Sequence, residues 1–189
     1  MDKSFLKQAS FFQLAALIVS LVALSGALWS QSAFDLYPCT YCIVARYVMS
    51  FIAIFSLLGL FISFIVISKS NLKIRYQSLL SKISFLFSLI VVLNVCFGIY
   101  ISIKHYIVVF HNNFSCGRDA LQEYLNSLFL AKNWPAMYEA TGNCVDANYK
   151  LFGIVDYVHL PMFIYILTLI FMIFYFINYV TFSKQNKIK

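Results

Sequence analysis

The sequence predicts an all-α membrane protein, a bundle of four transmembrane helices with a short amphipathic helix in its second outer loop. Three observations carry that prediction. Of 189 residues, 62% are hydrophobic and only 11% are charged, less than half the charge of a soluble domain. Four apolar runs have about the length a hydrocarbon core requires. The basic residues gather at the ends of those runs, as membrane topology demands. Twenty Phe and thirteen Tyr suit a chain solvated by lipid. The net charge of +7 does not point to nucleic acid, because it is distributed by topology and forms no binding face.

The elements follow in order. A basic head carries Lys3 and Lys7. Residues 11–29 are uncharged and rise about 28 Å as a helix. A cleaved leader would have a shorter apolar region and a small-x-small cleavage site, so this run reads as a retained first helix. Residues 30–41 form a short polar outer loop holding Gln31, Asp35 and Pro38. The second helix covers about residues 42–68, with Arg46 as its only charge. A connector holding Lys69, Lys73, Arg75 and Lys82 has no acid. The third helix covers about residues 83–103. The second outer loop spans about residues 104–160, and the fourth helix covers about residues 161–182, opened by Pro161. Within the second loop Leu121, Leu125, Leu128 and Phe129 recur at helical spacing, with Glu123, Asn126 and Lys132 off that stripe. That pattern predicts one amphipathic helix, lying either on the membrane surface or on the tops of the others. No repeat or linker divides the chain, so residues 1–189 read as a single membrane domain.

The head, the connector and the tail hold nine Lys/Arg against one acid, and the remaining loops and flanks hold five against six. The positive-inside rule therefore puts both termini in the cytoplasm, with four crossings. Cys39, Cys42, Cys116 and Cys144 then fall on the outer face, where disulfides persist. Four cysteines allow three pairings, and sequence does not choose among them. The Cys39-Thr40-Tyr41-Cys42 pair is the easiest to close, which proposes Cys116–Cys144 for the rest.

Two structural staples are the plain alternative. A bridge closing the long loop would stabilise by roughly 3–4 kcal/mol. A two-residue ring constrains almost nothing, so the Cys39–Cys42 pair reads as redox-active. Zinc on four cysteines is the other alternative, but the distal pair lacks close metal-ligand spacing, so no metal is expected. Arg46 lies four residues beyond Cys42 on the same helical face. A lone arginine at a helix end is commonly a membrane anchor. At this spacing it can instead stabilise a Cys42 thiolate, or negative charge developing on an electron acceptor held in the membrane. His105 and His111, at or just past the outer end of the third helix, are candidate proton or hydrogen-bond donors to a quinone carbonyl. Cys96, in mid-helix, reads as a small inert hydrophobe.

The run Pro38-Cys39-x-x-Cys42-x-x-x-Arg46, with Gln31 eight residues before Cys39 and Cys116 in the second outer loop, resembles the DsbB family. Trp134-Pro135, Ala140-Thr141-Gly142-Asn143-Cys144, Leu151-Phe152-Gly153 and Pro161 extend the resemblance. Thr40-Tyr41 and Ala45 depart from the family's usual residues, and Cys96 is additional. The resemblance implies a thiol:quinone oxidoreductase of the bacterial inner membrane, with its redox loops in the periplasm. Its partner would be a soluble DsbA-like dithiol oxidase of thioredoxin fold, and its acceptor ubiquinone or menaquinone. Cys39, Cys42, Cys116 and Cys144 would be catalytic through the redox-active disulfides Cys39–Cys42 and Cys116–Cys144. Arg46, Gln31 and His105 would bind the quinone. A DsbI-like variant with a dedicated partner is one alternative. A vitamin-K-epoxide-reductase-like oxidase is disfavoured, because its Cys-x-x-Cys comes late in the chain. A non-enzymatic membrane assembly protein with structural disulfides is the alternative from another class.

Overall fold

A computed structural model of the chain describes residues 3–68, 74–111, 120–142, 150–151, 155–156 and 159–188. Helix α1 is Lys3–Ala33, α2 is Thr40–Ser68, α3 is Ile74–His111, and α7 is His159–Ile188. These four long helices form the bundle. Between α3 and α7 lie the short helices α4 (Ala120–Ser127), α5 (Phe129–Asn133) and α6 (Pro135–Tyr138). A minimal antiparallel ladder follows, of β1 (Lys150–Leu151) and β2 (Val155–Asp156).

The helices alternate in direction. Helix α2 packs between α1 and α3, and α7 packs on α3 and closes against α1. The core along the bundle axis holds Leu24, Val48, Met49, Ile52, Val95 and Tyr165. Outward faces carry Phe, Leu and Ile instead, among them Leu57, Phe61, Phe64, Leu93 and Phe174. That inversion of the soluble pattern is what a lipid solvent selects. Three segments are long and apolar enough to cross a membrane: Ser10–Ala33, Thr40–Ser68 and Lys82–Phe110. A shorter apolar helical stretch, His159–Phe174, opens α7.

The long helices outrun the apolar runs that reveal them. No Pro or Gly stops α1 within the basic head, so its backbone hydrogen bonds continue through polar sequence. Helix α3 reaches 38 residues, about 57 Å of rise. Lys104 to His111 are helical, where composition assigns them to the outer loop. The single amphipathic helix expected across residues 119–132 is divided. Leu128 adopts extended backbone (φ −67°, ψ 152°) between α4 and α5. The apolar stripe is divided with it: Leu125 is buried against Ile43 and Ala140, whereas Leu121 and Phe129 are exposed.

The turn after α1 sets up the first outer loop. Leu36 N–H donates to Gln31 O at 3.1 Å, and Asp35 takes φ 49°. This is a Schellman-type stop with Asp in the left-handed position that Gly usually fills. Pro38 then leads into α2, which opens at Thr40.

Candidate functional site

Cys39 immediately precedes α2, and Cys42 sits in its first turn. Ile43 N–H donates to Cys39 O at 3.0 Å, which fixes the turn that turns both sulfurs to the same side. The two cysteines are free thiols, with Cys39 donating to Cys42 Sγ at 3.1 Å. Cys39 is fully buried, packed on Val108 and Val109 of α3. Burial, reinforced by the hydrogen bond to Cys42, raises the Cys39 thiol well above the ordinary cysteine range.

The length of α3 brings His105 to this pair. Its Nε2 lies 3.4 Å from Cys39 Sγ. Tyr41, one of the two residues between the cysteines, stacks on the His105 ring at 5.9 Å and 20°. The site thus uses a histidine that composition places in a loop, with Tyr41 stacked on its ring.

Arg46 is buried one turn below Cys42. Its Nη1 donates to Gln31 Oε1 at 2.9 Å and to Met137 O at 3.0 Å, and its Nη2 to Ala27 O at 3.4 Å. One guanidinium therefore joins α1, α2 and α6, and a planar fork of donors suits that task. Tyr138, next along α6, meets Ser50 Oγ at 2.6 Å and packs on Tyr47. Tyr165 of α7 donates its hydroxyl to Ala45 O at 3.0 Å.

Beside these groups a cavity of about 500 Å³ opens between the four long helices. Its wall is mostly apolar, and it bears Cys42, Arg46, His105 and Ser102. Cys39 is absent from that wall, so the two sulfurs face different neighbours. Ser102 is buried, and its hydroxyl has no hydrogen-bond partner among the described residues. A flat apolar ring system with carbonyl oxygens fits this lining, because the Ser102 hydroxyl offers a donor and Arg46 a positive charge on an otherwise oily surface.

The second outer loop is pinned beside the cysteine pair. Thr141 N–H and Gly142 N–H both donate to Pro38 O, at 3.1 and 3.0 Å. A Cβ on Gly142 would stand 2.0 Å from Tyr37 O, so only glycine admits this approach. Ala140 is anchored in turn, with its N–H donating to Asn126 Oδ1 and its carbonyl accepting from Gln122 and Asn126.

Among the expected site residues, the structure brings together Cys39, Cys42, His105, Arg46 and Gln31. Gln31 reaches the site through Arg46. Cys116 and Cys144, with their expected bridge, and the side chain of His111 lie outside the described residues. Sequence reasoning missed Tyr41, Ser102, Met137 O and the Pro38–Gly142 contact. For Tyr41 a signal existed in its place between the cysteines. For the others there was none, since they are defined by neighbours far away in the chain.

Comparisons with known proteins follow the same lines. The sequence matches the family described as disulfide bond formation protein DsbB over residues 9–177. It is 30% identical over 137 residues, 72% of each chain, to disulfide bond formation protein B 1 of Pseudomonas entomophila (strain L48). It is 28% identical over 153 residues, 81% of each chain, to disulfide bond formation protein B of Pseudomonas syringae pv. tomato. To the Burkholderia pseudomallei (strain K96243) protein of the same name it is 29% identical over 137 residues, 72% of each chain. No solved structure matches.

Proposed function

The chain belongs to the disulfide bond formation protein DsbB family, and from that premise we propose that it reoxidises a soluble DsbA-like dithiol oxidase at the expense of membrane quinone. A membrane-embedded, disulfide-forming oxidoreductase follows from the family itself. The observation that carries the finer reading is the wall of the cavity. It exposes Cys42, and not Cys39, to an apolar space of about 500 Å³ with the Arg46 guanidinium beside it.

The relay runs as successive thiol–disulfide exchanges, each breaking one S–S bond and making one. The partner's thiolate attacks the Cys116–Cys144 bond at Cys116. Cys144 leaves as a thiolate and attacks Cys39, opening Cys39–Cys42; the partner's second thiolate then releases Cys116, which attacks Cys144 and frees Cys39 as a thiolate. The backbone supports this handover. Gly142 is held against Tyr37 and Pro38, and two more residues of chain reach at most about 7 Å. Cys39 suits the attacked sulfur: it is buried and poorly disposed to carry charge. Cys42 suits the leaving sulfur, because it starts a helix and has Arg46 one turn away. Quinone, when bound, takes up the two electrons and two protons released as Cys39–Cys42 re-forms. Net, one dithiol becomes a disulfide and one quinone becomes a quinol. His105 orients Cys39, and Tyr41 holds the imidazole plane. Both termini then lie in the cytoplasm and both redox loops in the periplasm of the inner membrane.

The test uses full-length protein in nanodiscs with a reduced DsbA-like partner and a short-chain quinone. Quinone absorbance should fall only when the partner is present. Cys42→Ser should abolish that loss, and Cys116→Ala should stop partner oxidation while quinone still binds. Undiminished turnover in Cys42→Ser would overturn the reading.

A further inference from the structure

The cluster of Cys39, Cys42 and His105 has a property that electron transfer does not require. The two Sγ atoms and a ring nitrogen of His105 all lie within 4.8 Å of one another. We propose that, when reduced, this trio is a binding site for a zinc-class divalent ion, and that metal and disulfide exclude each other there. Two thiolates and one imidazole are a soft-to-borderline donor set of the kind zinc takes.

The distances fit with small adjustment. Metal–sulfur bonds of about 2.3 Å and a metal–nitrogen bond of about 2.05 Å at tetrahedral angles place sulfurs about 3.8 Å apart and sulfur–nitrogen about 3.6 Å apart. Cys39 Sγ to His105 Nε2 is already 3.4 Å. The sulfurs, at 3.1 Å, need to open by about 0.7 Å, and Cys42 Sγ and the imidazole nitrogen, within 4.8 Å of each other, need to sit about 3.6 Å apart; rotation of Cys42 about χ1 is the adjustment required. Three protein ligands leave a fourth position. Cys42 and His105 both line the cavity, so that position can be filled by water from it. Tyr41 stacks on the imidazole face, and the nitrogen lone pair that would bind the metal lies in the ring plane, clear of that contact. Two thiolates cancel the charge of a divalent ion, and a neutral complex is what a low-dielectric site tolerates.

The step balances without an electron. Two thiols release two protons, and one M²⁺ gains two thiolates and a neutral imidazole. Oxidation of the pair to a disulfide removes both thiolates, so bound metal leaves or oxidation stops. The inference rests on the geometry of the three donors and does not depend on the quinone reading.

The test uses the full-length chain in detergent, with Cys96, Cys116 and Cys144 changed to Ser, so that one thiol pair remains. The protein is reduced with a phosphine and titrated with Co²⁺, then with Zn²⁺ as competitor. The readout is the thiolate-to-cobalt charge-transfer band and the ligand-field bands of tetrahedral cobalt. We expect one Co²⁺ per reduced chain, displaced by Zn²⁺, and none after oxidation of the pair. His105→Ala and His105→Gln should each weaken binding at least tenfold with unchanged helical circular dichroism, and Cys42→Ser should remove the charge-transfer band. Absence of the bands in the reduced chain, equal binding by the oxidised chain, or unchanged affinity in both His105 variants would each overturn the proposal. Partner-dependent quinone reduction, measured separately on the wild-type chain, reports on the oxidase reading and not on this one.

Discussion

Arg46 ties three helices together beside the cavity that the proposed function assigns to the acceptor. Its three acceptors come from positions 15, 19 and 91 residues away. Lysine keeps the charge but not the fork. Arg46→Lys should therefore leave Gln31 Oε1 or Met137 O unpaired, at a cost of about 1–3 kcal/mol. The expected result is a rise of about tenfold or more in apparent KM for a short-chain quinone, and a lower thermal midpoint. Steady-state kinetics and a detergent-phase melt read both. Sequence placed Arg46 one turn from Cys42, because i,i+4 spacing is local. It left open whether the arginine anchors or acts, because its partners arrive from α1 and α6. Cys39 supports a pH prediction. Its folded pKa is raised, so its contribution to the reduced fold is complete below the unfolded value of about 8.5 and is lost as pH climbs through the folded value. The reduced protein should melt at progressively lower temperature above about pH 8.5. Alkylation of Cys39, followed by mass spectrometry, should lag behind that of an unfolded control peptide at the same pH. Equal rates would contradict the burial argument.

At the level of the element, hydropathy located the apolar cores of the four long helices but not their ends. A helix continues into polar sequence until something stops it, and α3 meets nothing until His111. The difference decided the site, since His105 is useful only on an α3 that extends past the apolar run. Its place on the helix was not legible from composition. The amphipathic segment misled in a related way. Its stripe is genuine, but the extended backbone of Leu128 breaks it, and beyond the break α6 presents Met137 O to Arg46. Small residues seat the helices on one another, as membrane bundles require. A Cβ on Gly98 would stand 2.3 Å from the Tyr165 ring, whose hydroxyl holds Ala45 O. Gly98→Val should displace α7 from α3 and cost about 1–3 kcal/mol. A melt should show a single lowered transition, with Gly26→Val, which meets nothing within 4 Å, as the control that changes little.

At the scale of the whole molecule, the four-helix plan was legible because lipid imposes coarse rules on length, polarity and charge. The pairing of loops was not, because it depends on backbone groups that every residue shares. Orientation is the prediction that belongs here. Alkaline phosphatase fused after Lys189 should be inactive, and phosphatase inserted at exposed Tyr124 should be active. The reverse pattern would invert the relay. The clasp of Thr141 and Gly142 on Pro38 also acts at this scale. Gly142→Val should break it and slow partner oxidation at least tenfold, with quinone binding retained; equilibrium binding and stopped-flow exchange separate the two effects. Under the relay proposed above, the clasp would spare the thiol that follows it a diffusional search for Cys39. A short tether of this kind provides an effective concentration of millimolar or more. A small competing thiol would have to reach a similar concentration to intercept the proposed handover, so the clasp would insulate the relay from the free thiols around it.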